Sequence, residues 1–148
     1  MRSLPLAATA LAAAAVLGPS LPAHASAPAI QITKVYYDSP GTDRRSNASL
    51  NGEYVTIYNS TARPIDMEGW VVKDKTGYTY EFSGVILGAK KKITVRSGQG
   101  RDGTSAVYWG RRAYVWNNDK DVAYVRNADG KLIDSCSYDS TRSDYKNC

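Results

Sequence analysis

The sequence predicts an all-β domain, a sandwich of about seven to nine short strands, and three observations carry that prediction. Short runs of alternating apolar and polar residues recur between Ile30 and Ile133, the period-2 pattern of half-buried strands. Clusters of turn-forming residues separate the runs. No segment beyond the N-terminal stretch has a helical period of useful length. Strands with a single apolar face must lay it against a second sheet, so the elements imply two packed layers.

Taken in order, Ile30 and Ile32 alternate ahead of Val35-Tyr36-Tyr37. A long connection follows from Asp38 to Gly52, built of Pro, Gly, Asp, Ser and Asn. Val55 and Ile57 then alternate with Tyr54, Thr56 and Tyr58. Trp70 and Val72 make the next run, with a turn at Lys75-Thr76-Gly77 leading into Tyr78, Tyr80 and Phe82. Ile93 and Val95 alternate with Lys92, Thr94 and Arg96, after which Ser97 to Ser105 is glycine-rich. Val122 to Val125 and Leu132-Ile133 flank Asn127-Ala128-Asp129-Gly130, whose Asp-Gly is a strong hairpin signal. The two long connections are the places where a compact domain carries mobile or functional loops.

The N-terminus reads as an export signal, residues 1–25, with Arg2 as the positive region and Leu4 to Leu17 as the apolar stretch. Pro19 and Pro22 break it, and Ala23-His24-Ala25 offers small residues for cleavage. The expected mature chain is one domain, residues 26–148, free in the extracellular space, with no transmembrane segment. Losing Arg2 leaves 18 basic residues against 14 acidic ones, a mild net charge of +4. Cys136 and Cys148 are the only cysteines, and in an oxidising compartment they are expected to pair and close a short C-terminal loop.

The single histidine, His24, lies in the expected leader. The mature chain would then lack the usual general base near neutral pH and the commonest zinc ligand. An enzyme would have to work with carboxylates, lysine or tyrosine, and the spacing of the acidic residues singles out no pair. The expectation is a module that is not an enzyme, with no catalytic residues and no required cofactor.

Several ordered blocks resemble the lamin tail domain family, in its bacterial secreted branch. Gly52-Glu53-Tyr54-Val55-Thr56-Ile57-Tyr58-Asn59 is similar to the family's opening strand, and Gly69-Trp70-Val71-Val72-Lys73-Asp74 to its tryptophan strand. Tyr80-Glu81-Phe82 with Leu87 and Gly88, then Ile93-Thr94-Val95 and Ser97-Gly98-Gln99-Gly100, continue the likeness. Val107 to Gly110, Val115 to Asn118 and Asp121 to Val125 complete it. The proline usual before the glycine that here is Gly88 is absent. The resemblance implies an immunoglobulin-like β-sandwich and a non-catalytic module.

Two constellations are candidate sites. Asp38, Asp43, Asn47, Asn51 and Glu53 are hard oxygen donors of the kind calcium takes, although they do not fit the EF-hand spacing; the plainer reading is a set of turn formers. Glu53 shares the parity of Val55 and Ile57, so it faces inward and needs an arginine, a loop amide or a cation as partner. The second candidate is Arg111, Arg112, Tyr114 and Trp116, in the segment Tyr108 to Trp116, where aromatics beside arginines can stack on ligands and hold phosphates. Packing is the plainer explanation for its tryptophans, and Trp70 reads as core. Lys90-Lys91-Lys92 reads as a solvated strand entry.

The leading reading is therefore a secreted binding or structural module that contacts a protein or a cell-envelope polymer. The alternative is a calcium-assisted domain for polysaccharide or nucleic acid, accessory to a secreted hydrolase.

Overall fold

A computed structural model describes Gly18 and residues 25–148. The expected leader falls outside the described residues apart from Gly18 and Ala25. In chain order the elements are β1 Ile30–Tyr36, α1 Asn47–Gly52, β2 Tyr54–Asn59, β3 Ile65–Asp66, β4 Val71–Lys73 and β5 Thr79–Glu81. Then follow β6 Ile86–Leu87, β7 Lys92–Arg96, β8 Ala106–Tyr108, β9 Lys120–Arg126, β10 Leu132–Asp139 and β11 Tyr145–Asn147.

Two sheets form the sandwich: a five-stranded one in the order β11-β1-β2-β7-β8, and a four-stranded one in the order β10-β9-β4-β5. A two-stranded ribbon, β3 with β6, lies beside them. Every expected strand is present. The eleven strands among the described residues exceed the expected number because β3 and β6 are only two residues each and β8 and β11 three, too short to show a period. The first long connection contains α1, capped by the Ser46 hydroxyl accepting from the Ser49 N–H. The pairing of β7 with β8 is parallel, which the glycine-rich connection between them makes feasible.

Alternation decides what is buried. Val55 and Ile57 on β2, Ile93 and Val95 on β7, and Val72, Ala123 and Val125 from the facing sheet are all fully buried. A bulge between Ile32 and Lys34 shifts the register against β2 by one residue. That shift lets Ile30, Ile32 and Val35 all reach the core while Thr33 and Lys34 stay half-buried. Phe82, Met67, Leu87 and Trp116 complete the interior, with Trp70 and Trp109 packed on its margin.

Buried polar side chains finish the turns. The Asp74 carboxylate accepts from the Gly77 and Tyr78 N–H groups, both at 2.7 Å, and closes the β4–β5 hairpin. Asn59, fully buried, donates its side-chain amide to the carbonyls of Arg63, Leu87 and Gly88.

The Cys136–Cys148 disulfide is formed, and it joins β10 of one sheet to the end of β11 on the other. Beside it, the Asp134 carboxylate accepts from the Ile32 N–H at 2.8 Å, another link between the sheets. β11 holds three register pairs with β1 and is flanked by backbone hydrogen bonds at Asp144 and Cys148, and the disulfide adds a covalent tie to this edge strand. Replacing both cysteines by serine is expected to cost on the order of 3 kcal/mol in denaturant unfolding, from loop closure alone. The largest loss of amide exchange protection should fall on β11.

Candidate functional site

The five oxygen donors expected to form a calcium set are distributed over three separate networks. Asp38 and Asp43 both accept from the Asn118 side-chain amide at 3.2 Å. Burial, then the neighbouring charges of Asp43 and Asp144, raise the pKa of Asp38. Asn47 and Asn51, one turn apart on α1, both donate to the Gln99 carbonyl at 2.8 and 2.9 Å, and Asn47 also accepts from the Gln99 N–H at 2.7 Å. Gly98 makes this approach feasible: a Cβ there would sit 2.6 Å from the Oδ1 atoms of both asparagines. Glu53 lies in the core. Among the described residues no three His, Cys, Asp or Glu side chains are arranged to hold a metal ion.

Glu53 faces inward as its parity requires and is 0% exposed. Its Oε1 accepts from the Ser97 hydroxyl at 2.6 Å and the Val115 N–H at 2.7 Å; Oε2 has no partner. Of the partners foreseen, the loop amide is present, supplied by Val115. The carboxylate thus joins the start of β2, the end of β7 and the segment before β9. Burial raises its pKa to about 7, against the lowering effect of these hydrogen bonds.

The arginine-aromatic segment is dispersed by its own fold. Arg111 stacks on the Tyr78 ring at 3.9 Å from its centroid. Arg112 is exposed. Tyr114 binds the Ser49 hydroxyl at 2.6 Å, and Trp116 is buried in the core. Arg111 and Arg112 do line one open depression together with Arg45, Asn47 and Gln99. Tyr114 and Trp116 are not among its walls.

A surface not singled out from the sequence is the outward face of the five-stranded sheet. Register places Tyr145, Tyr36, Tyr54 and Arg96 in one row across four strands. The next row is Asn147, Lys34, Thr56 and Thr94, and Tyr58 pairs with Lys92 in the third. Tyr36 stacks on Tyr54 at 5.2 Å and on Tyr145 at 5.6 Å between centroids. Lys34 lies over the Tyr145 ring at 4.4 Å, Arg96 over Tyr54 at 5.3 Å and Lys92 over Tyr58 at 5.9 Å. Arg96 also donates to the Asn51 carbonyl at 2.7 Å, tying the face to α1.

None of these outward strand positions is acidic. Asp144 and Asp38 act on the Tyr36 end of the first row, where burial and then the Asp144 charge raise the tyrosine pKa. The other sheet differs in kind: Glu81 and Arg126 both pair with Val71, and Asp139 pairs with Lys120. Its outward face is mixed in sign, as an ordinary solvated surface is. The signal for the positive face was present in the strand periods, in the polar residues that alternate with the core.

Lys90-Lys91-Lys92 divides between roles. Lys90 donates to the Ser60 carbonyl, Lys91 is exposed, and Lys92 joins the face.

Glu53 generates a pH prediction. Its folded pKa, about 7, lies above its ordinary value of 4.5, so folding favours the protonated form. The stabilisation is full below pH 4.5 and is lost as pH rises through about 7. Between pH 5 and pH 8 the unfolding free energy should fall by on the order of 3 kcal/mol. Glu53→Gln should flatten that slope in denaturant titrations at the two pH values.

No curated protein matches the chain. No helix among the described residues is long and apolar enough to cross a membrane. The sequence profile of the Lamin Tail Domain matches residues 23–140, nearly the whole of the sandwich. With two sheets packed over a single core, and the tryptophan and glycine blocks in place within them, the chain belongs to the lamin tail domain family of non-catalytic, immunoglobulin-like modules.

Proposed function

We propose that the protein is an extracellular, non-catalytic binding module that uses the outward face of its five-stranded sheet to contact a partner in the cell envelope. The observation that most supports this reading is the composition of that face: stacked tyrosines and three cations, with no acidic residue at its outward strand positions. Surfaces kept for solubility mix both signs, as the opposite sheet does. A surface of one sign attracts partners of the other. Tyrosine and arginine are also residues that binding surfaces favour.

The disulfide agrees with an oxidising compartment, and it holds Tyr145 and Asn147 in the face by fixing β11. Export itself rests on the reading of residues 1–25. Non-catalytic action rests on the family and on the dispersal of the acidic residues into structural networks.

Co-sedimentation with envelope fractions of the producing cells tests the proposal. The wild-type protein should pellet with the fraction and be released by salt. Lys34→Glu combined with Lys92→Glu should stay in solution while remaining folded, because both side chains point away from the core, with a melting temperature lowered only by the loss of two ring contacts. Retention of the double variant at the wild-type level would refute the use of this face.

A further inference from the structure

Resting on that reading, we infer that the partner is an acyclic polymer of polyol units joined by phosphodiesters, laid across the outward face of the five-stranded sheet. Three properties of the face lead to this chemistry. The first is sign: Lys34, Lys92 and Arg96 bring three full charges to one surface with no acid between them, so the ligand is anionic.

The second is spacing. Lys92 and Arg96 are four residues apart on β7, about 13 Å along the strand. Lys34 lies two strands away, about 10 Å across the sheet. Each cation is also drawn over a tyrosine, Lys34 toward β11 and the other two toward β2. Cations spread in this way serve a chain of anions better than one small anion. They frame a shallow depression that Thr33, Thr56, Thr94 and Asn147 also line, and these neutral groups can exchange hydrogen bonds with polyol hydroxyls.

The third property is the state of the aromatic rings. Bases stack on open aromatic faces, and sugar rings use the same faces. Here Tyr36 has Tyr54 and Tyr145 stacked against it. Tyr54, Tyr58 and Tyr145 carry a cation over the ring. Stacking on Tyr36, Tyr54 or Tyr145 would break one of two contacts that each ring already holds, whereas Tyr58 holds only the Lys92 contact. Beyond these ring contacts and the Arg96 bond to the Asn51 carbonyl, the ammonium and guanidinium groups keep further N–H donors, and with the threonine hydroxyls they read oxyanions and hydroxyls rather than rings. A flexible phosphodiester chain without rings meets that set, and single-stranded nucleic acid and polysaccharide meet it less well.

The test is titration calorimetry of the full protein with poly(glycerol phosphate). Parallel titrations use oligothymidylate and poly-glutamate matched for charge, and neutral dextran. Binding is expected for poly(glycerol phosphate), with a log–log salt slope of about −2 for three phosphates at the single-strand coefficient. Lys34→Glu with Lys92→Glu should weaken it at least about tenfold. A control pair on the opposite sheet, Lys73→Glu with Lys120→Glu, should leave it unchanged. Equal or tighter binding of oligothymidylate would overturn the preference for a ring-free chain. Equal binding of poly-glutamate would overturn the phosphodiester assignment.

If no polymer binds while the face variant still loses envelope retention, the ligand assignment falls and the binding face stands. If the variant changes neither, both fall.

Discussion

One constraint governs the molecule: in a strand, successive side chains go to opposite faces, so filling the core also chooses what the surface displays. Burying Val55 and Ile57 sends Tyr54, Thr56 and Tyr58 outward, and burying Ile93 and Val95 sends out Lys92, Thr94 and Arg96. The registers of β1, β2 and β7 then line up these residues into rows. A slip of one residue in β2 or β7 would place a lysine or tyrosine in the core and dissolve the face in the same step. The fold and the face proposed for binding are thus specified by one set of pairings.

Buried groups at the rim hold those pairings in place. Glu53 takes hydrogen bonds from Ser97 and from the Val115 backbone, so one carboxylate fixes where β2 starts and β7 ends. Its unpartnered oxygen makes this a costly way to tie three segments together, since a buried carboxylate gives up its hydration. The gain is positional. Arg96 next to it is anchored to the last turn of α1, so the face inherits its order at that end from the same junction. At the other end the disulfide does the equivalent for β11.

Much of this was legible in the sequence, and the part that was not has a physical reason. Period and turn chemistry located the long strands, the Asp129-Gly130 hairpin, the inward parity of Glu53 and the cysteine pair. Those features are local, or follow from composition. The calcium reading grouped Asp38, Asp43, Asn47, Asn51 and Glu53 because they are close in sequence, but α1 turns two of them to Gln99 and β2 carries Glu53 into the core. Likewise Arg111 and Trp116 are near neighbours in the chain, yet one lies on Tyr78 and the other in the interior. The tyrosine row is the reverse case. Tyr36, Tyr54 and Tyr145 are far apart in sequence and meet only through register, which no single segment reveals.

Lysine acylation footprinting of the protein bound to envelope fractions, read by mass spectrometry, tests the central claim most directly. Lys34 and Lys92 should be protected relative to the free protein, while Lys73, Lys120 and Lys131 react as before. Protection of the second group with Lys34 and Lys92 still reactive would contradict the assignment of the contact to this sheet.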